Sequence, residues 1–276
     1  DPRVKPPMGA AEINWGHPLA NGLAFLALFN EGGGAAIELV RGSAGTPTNG
    51  VFYGPRGLNC AAGGTAFMSW GSEAVGGDAP YITAAGLTCL WRGVIRTGSV
   101  YQHFMGKHLS SGATNSPFDF RTSNDASPMI TLYRANASYN FGMEAHVATL
   151  GVVQEHVVTC PNNQIENLAA LFYLNGGVAA STVEKSRSGT GVVTGGGAAL
   201  QIGRRYDGAV QLDGEVVHAA AWGRAITPAE ARWLYAEPYA MLQPVIRRRY
   251  FISSGAVFSR LVGHRASLAG PGGLAA

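Results

Sequence analysis

The stretch from Leu200 to Leu234, LQIGRRYDGAVQLDGEVVHAAAWGRAITPAEARWL, constrains this chain more than any other, because it sets three elements in a fixed order. Residues 200 to 206 read as an apolar strand ending near Gly203. Asp207-Gly208 reads as a turn, and Leu212 to Trp222 as a half-buried strand that passes into an apolar run. A helix follows directly. Thr227 is a side-chain acceptor at the N-cap, Pro228 takes the first helical position, where its missing N–H costs nothing, and Glu230 completes a capping box. Ala231, Leu234 and Tyr235 then give the helix one apolar face.

Strands dominate elsewhere too. The 39 glycines fall in clusters such as Gly32-Gly33-Gly34 and Gly195-Gly196-Gly197, as many short strands joined by tight turns require. Only 13% of residues are charged and 46% are hydrophobic, enough apolar material for a core between two packed sheets. The length suits one large all-β domain. No apolar run approaches the ~20 residues that span a bilayer, so a soluble protein without membrane insertion is expected, and no secretory signal is visible. Cys60, Cys89 and Cys160 are an odd set without CxxC spacing and read as buried thiols of a protein assembled in a cytosol.

The 200–234 string resembles the closing segment of the laminin-G-like, concanavalin A-like jelly-roll superfamily. The matching residues are Ile202-Gly203, Asp213-Gly214-Glu215-Val216, Trp222, Arg224, Ile226, Thr227 and Glu230. Upstream, Gly22 to Glu31 resembles the opening strand, Gly86 to Arg96 the central strand with its Trp, and Phe172 to Gly177 a Tyr-x-Asn-Gly hairpin. The resemblance implies an all-β antiparallel sandwich with one short C-terminal helix.

The ends differ from the middle. Residues 1–20 carry Pro2, Pro6, Pro7 and Pro18 with little periodicity and read as an extended arm. Residues 241–276 hold five arginines (Arg247, Arg248, Arg249, Arg260 and Arg265) and no acid. The expected organisation is therefore an arm over 1–20, a sandwich over 21–240 and a basic, Gly-rich arm over 241–276. Arg247, Arg248, Arg249, Tyr250 and Phe251 are the interface candidates, since charge and aromatic anchors together suit docking on a neighbour. Nucleic acid is disfavoured because aromatic interleaving is minimal. Both ends resemble segments of bacteriophage proteins that contain laminin-G-like domains. That implies a virion location, assembly in a host cytoplasm, and partners among neighbouring virion proteins or copies of the chain itself.

Catalytic patterns are scarce. Concanavalin A-like glycosidases carry paired carboxylates on one strand, because a retaining mechanism needs two carboxyl groups ~5 Å apart. The nearest approach, Asp213-Gly214-Glu215, reads as structural. His103 and His108, or His146 and His156, lack metal-binding spacing, and there is neither a G-x-S-x-G elbow nor a phosphate loop. The expectation is a protein that is not an enzyme and has no cofactor.

Binding has better candidates. Asn115, Asp119, Asn124 and Asp125 fall in the polar run 110–127, whose oxygens suit Ca²⁺, the one cofactor the resemblance suggests. Trp70, Tyr81 and Tyr133 are candidates for stacking on sugar. The leading expectation is a structural or interaction protein of a phage or virus-like particle, in capsid decoration, head fibre or tail, with a lectin-like sandwich. A carbohydrate-binding receptor-recognition module is the alternative, with a cell-surface glycan as partner, and a glycan hydrolase or lyase ranks third.

Overall fold

A computed structural model describes residues 1, 3–48, 52–60, 67–71, 86–98, 101–107, 116–123, 129–135, 140–162, 169–179, 182–189, 199–205 and 211–245. Two antiparallel sheets form the body. The first runs in the order β15-β11-β10-β9-β8-β16-β6-β3. Its members are β3 (Thr46–Thr48), β6 (Phe67–Trp70), β8 (His103–Lys107), β9 (Ser116–Thr122), β10 (Met129–Ala135), β11 (Asn140–Val147), β15 (Val183–Ser188) and β16 (Leu200–Ile202). The second runs β14-β13-β12-β7-β17-β5-β4, with β2 also paired to β17. It is built from β2 (Leu23–Ala27), β4 (Phe52–Tyr53), β5 (Leu58–Cys60), β7 (Leu87–Ile95), β12 (Val153–Cys160), β13 (Leu171–Leu174), β14 (Gly177–Val178) and β17 (Gly214–Trp222).

Strand alternation explains the layering. Along β7, Cys89 and Trp91 enter the core between the sheets, where they meet Phe104, Phe118, Phe120 and Phe141 of the first sheet. The intervening Leu90 joins a second cluster on the opposite side. A strand covered on both faces reads as a nearly continuous apolar run, and LTCLWRGVI is one. Each buried aromatic removes about 150–250 Å² from water, so these rings supply much of the drive for the sheets to close. Among the described residues no helix is long and apolar enough to cross a membrane.

The second cluster is a third layer laid on the outside of β7, β12 and β17. It contains Leu19 and Ala20, Ala231 and Leu234 of α1 (Pro228–Ala236), and Tyr239 and Met241 from the chain after the helix. A small antiparallel pair edges it, β1 (Ala11–Ile13) with β18 (Leu242–Pro244). These contacts redraw both boundaries expected from sequence. Leu19 is fully buried and Met241 is 2% exposed, so 1–20 is not simply an arm and the sandwich unit continues to Val245. The prolines that suggest an extended arm are compatible with a segment that packs through a three-residue strand and a short 3₁₀ turn at Pro18–Ala20. Residues 246–276 lie outside the described residues.

The helix forms as its sequence dictates. Thr227 Oγ1 accepts from the Glu230 N–H, the Glu230 carboxylate accepts from the Thr227 N–H, and Pro228 stands at the first position. Arg224 holds Glu230 through both guanidinium nitrogens and also donates to the Asn21 carbonyl. Trp222 Nε1 donates to the Leu19 carbonyl at 2.7 Å, so strand, helix and N-terminal segment are tied together. Tyr235 departs from the expected apolar face: it is exposed, and the Arg92 guanidinium lies over its ring. It stands about 100° round the helix from Leu234 and about 40° from Ala231, at the border of the buried stripe.

Candidate functional site

Two of the ligand candidates from the sequence have described side chains, and both are buried. Trp70 is 3% exposed and packs edge-on against Phe25, with ring centroids 4.9 Å apart, so its faces are closed to a sugar. Asp119 lies within β9 rather than in a rim loop. It accepts from His103 Nδ1 at 2.9 Å and pairs with Arg121 at 3.0 Å, so it is engaged by cationic and N–H groups instead of facing a free coordination site. Gly106 makes room for this network, since a Cβ there would lie 2.8 Å from the His103 ring. Asn115, Asn124, Asp125 and Tyr81 lie outside the described residues, as do Arg247 to Phe251, and the Tyr133 side chain is not described. Among the described residues no three His, Cys, Asp or Glu side chains converge on a metal position.

Asp213 and Glu215 are tied down by cations. Arg96 pairs with both, and Arg56 with Glu215. The three cysteines are buried as thiols, and burial pushes Cys60 up to about 12. Inside the sandwich, His146 Nε2 and His156 Nδ1 are 2.9 Å apart, a hydrogen bond in which one neutral ring donates to the other. The rings stack in a column with Phe104 and Trp91, linking the two sheets. Burial lowers His146 to about 4 and His156 well below the ordinary imidazole value.

The outer side of the second sheet is different. Glu155 of β12, Arg92 of β7 and His218 of β17 sit opposite one another in consecutive strands. Glu155 is 1% exposed; one carboxylate oxygen meets Arg92 at 3.4 Å, while the other has no hydrogen bond among the described residues. Burial outweighs the arginine and raises Glu155 to about 7. His218 is edge-on to Tyr239, and burial together with Arg92 and Lys5 holds it well below the usual imidazole range.

Lys5 closes this row from above. Its ammonium donates to the carbonyls of Phe29, Arg56 and Val217 at 3.1, 2.9 and 2.9 Å, which uses all three protons. The register shift between Val216 and His218 takes Val217 out of the β7 ladder, as a bulge does, and its carbonyl is taken up by Lys5. The N-terminal segment is thereby pinned across the sheet and bounds two depressions. One, of about 660 Å³, runs between Val4–Ala11 and Glu237–Pro244, with His17 and Glu237 at its side. The other, of about 290 Å³, is lined by Arg3, Lys5, Arg56, Arg92, Val217 and Tyr239 among others. Lys5 and Tyr239 belong to both, so the two are adjacent.

An exposed aromatic contacts two of the residues that line the larger groove. Trp233, on the solvent side of α1, is 37% exposed, donates from Nε1 to Glu237 at 3.1 Å, and lies 4.6 Å from the His17 ring. Trp15, two residues before His17, is 58% exposed. Trp233 meets the description of an exposed aromatic with polar neighbours, although it is not among the sugar-stacking candidates expected from sequence. The available signal was helical spacing: with Ala231 and Leu234 inward, Trp233 must face out.

No family model matches the chain, and no curated protein matches it by sequence. Solved structures do match in shape. Trypanosoma rangeli sialidase with 2,3-difluorosialic acid has a TM-score of 0.57 at 16% identity over 80% of this chain and 34% of that one. Domain 4 of an extracellular arabinanase from Geobacillus stearothermophilus, in complex with arabinotriose, has a TM-score of 0.51 at 12% identity over 82% of this chain and 99% of that one. The fold is an all-β antiparallel jelly-roll sandwich. The chain spans about a third of the length of the sialidase chains it matches. These matches overturn the expectation of a protein that is not an enzyme, because the sandwich recurs in a sialidase and in a domain of an arabinanase. Scarcity of paired carboxylates within one sandwich says nothing against catalysis elsewhere in such a chain.

Proposed function

We propose that the jelly roll is a carbohydrate-recognition unit and that a sugar chain lies in the groove beside Trp233. The observation that carries this reading is that Trp233, 37% exposed, touches His17 and Glu237, two residues that line a groove of about 660 Å³. A pyranose or furanose offers C–H groups to an aromatic face and hydroxyls to flanking acceptors and donors, and this site supplies both. The arabinanase domain supports it, since a chain of this fold, matched over 99% of its own length, is in complex with arabinotriose. The surface of a bacteriophage particle is the setting we propose for such recognition, on the resemblance of the chain's ends.

Calorimetric titration with arabinotriose, sialyllactose and a neutral galacto-oligosaccharide tests the reading. At least one is expected to bind, and Trp233→Ala to weaken it by about tenfold, the loss of roughly 1.4 kcal/mol of contact. Trp233 is partly buried and bonded to Glu237, so the variant should melt somewhat below the parent while remaining folded at the temperature of the titration, which its melting curve checks. Full binding by Trp233→Ala overturns the site, and absence of binding by all three sugars at millimolar concentration overturns the function.

A further inference from the structure

We propose that the smaller depression, between the N-terminal segment and β7 and β17, is an anion site that receives the carboxylate or sulfate of an acidic sugar lying in the adjacent groove. The inference deepens the carbohydrate reading by naming the class of glycan. Three arginines line the depression, Arg3, Arg56 and Arg92, and no acid does. They come from three separate parts of the chain: the N-terminal segment, the β4–β5 connection and the middle of β7. A guanidinium presents paired N–H groups in a plane that matches carboxylate or sulfate oxygens, so three of them around one cavity make a receptor for such a group.

The charge balance leaves the arginines available. Lys5 spends its protons on backbone carbonyls and acts as a post rather than a receptor. Arg3 is exposed, and its guanidinium has no partner among the described residues. Arg56 reaches Glu215 only at 3.5 Å, and that carboxylate is held more closely by Arg96 at 2.9 Å. Arg92 has Glu155 at 3.4 Å, and because burial raises that acid to about 7 it spends part of its time uncharged at neutral pH. Positive charge therefore exceeds negative charge around the cavity. Lys5 and Tyr239 are common to both depressions, which places the anion pocket where a substituent of a sugar in the groove would reach.

The probe is an oligogalacturonate, compared with the same oligosaccharide after methyl esterification, which removes the charge and keeps the ring. The intact chain is titrated with each, beside Arg3→Gln/Arg56→Gln and Trp233→Ala. The expected result is tighter binding of the acid than of the ester by at least tenfold, a preference that the double arginine variant abolishes without changing affinity for the ester. Arg56 is 54% exposed in its side chain and Arg3 is exposed, so that variant should remain folded, which its melting curve checks. Equal binding of acid and ester, or an unchanged preference in the double variant, overturns the anion site. If Trp233→Ala then still weakens the ester, the carbohydrate reading survives that failure. If Trp233→Ala has no effect while the arginine variant loses the acid, the anion site stands and the groove assignment fails. If neither sugar binds at millimolar concentration, both fall.

Discussion

Glu155 and His156 are consecutive residues of β12 that face opposite sides of one sheet, and they show how the two sides differ. His156 points into the sandwich, stacked on Phe104 and bonded to His146. Glu155 points outward to Arg92, beneath the depression ringed by arginines. Burial drives both toward neutrality, the histidine well below its ordinary value and the acid up to about 7. The inner pair shares one hydrogen bond between neutral rings, leaves His146 Nδ1 and His156 Nε2 without a partner among the described residues, and is sealed by the aromatic faces stacked on it. The outer group also has one oxygen without a partner among the described residues, and the difference is that its cation, Arg92, borders a cavity. A buried titratable residue sealed by apolar packing is part of the scaffold; one whose partner opens on a cavity is a candidate for function.

The largest test of that contrast is paired truncation on the two sides. Trp91 is fully buried between the sheets, and Trp91→Ala should cost about 3–5 kcal/mol in equilibrium denaturation. Arg56→Gln on the outer side should cost less than about 1 kcal/mol, because an exposed ion pair contributes little. Comparable losses from both would remove the distinction between scaffold and site.

Acidification separates the two sides next. His146, His156 and His218 have folded-state values depressed below 6.5, so the stability they contribute is present above that pH and lost as pH falls toward about 4. Glu155 works in the opposite direction. Its folded value is raised above 4.5, so its contribution is complete below that pH and lost as pH rises through about 7. Three histidines outnumber one acid, and the melting temperature is expected to fall between pH 6.5 and 4. His156→Asn should flatten that acid limb, while Glu155→Gln should remove the shallower decline between pH 4.5 and 7. A melting temperature constant from pH 7 to 4 would mean that the imidazoles are not held neutral.

Which of these features could be read without coordinates follows from the range of the interactions. The helix and its cap depend on Thr227, Pro228 and Glu230, all within four residues, and they were legible. So was the hairpin at Asn175-Gly176, where both residues take positive φ and a Cβ on Gly176 would strike Tyr235 of α1. The third layer was not, because Leu19, Trp222, Leu234 and Met241 meet across more than 200 residues of sequence, and the prolines of the N-terminal segment masked its short strand. The candidate site was the least legible part. Arg3, Arg56 and Arg92 carry no motif, and only the pinning of Lys5 over β17 brings them to one cavity. The aromatic criterion for sugar was sound; it went astray on Trp70 because an alternating strand does not announce which face a tryptophan takes.

A smaller effect is expected where the third layer rests on one cap. Thr227→Ala removes the acceptor for the Glu230 N–H and should cost about 1 kcal/mol, within the 0.5–2 kcal/mol usual for an N-cap. Since α1 carries Trp233, sugar affinity should weaken along with it, whereas the inner core should keep its near-ultraviolet dichroism. If stability drops as far as it does for Trp91→Ala, the third layer is integral to the sandwich rather than laid upon it.

The smallest effect is expected at the end of the chain, and it tests where the scaffold stops. The sandwich unit closes at Val245, with β18 paired to β1 and Met241 buried. Deleting residues 246–276 keeps all of these and should leave the melting temperature within about 2 °C of the parent. Deleting from 241 removes Met241 and the partner of β1. Burial of one such side chain contributes roughly 1.5–3 kcal/mol, which at about 2–4 °C per kcal/mol for a unit of this size predicts a fall of several degrees. The two truncations differ by five residues, so the comparison is sharp. Sedimentation of the shorter deletion also tests the docking expected of Arg247, Arg248, Arg249, Tyr250 and Phe251. Lost self-association with an unchanged melting temperature would support a tail that binds a second copy, unchanged self-association would defeat it, and a lowered melting temperature would extend the scaffold past Val245.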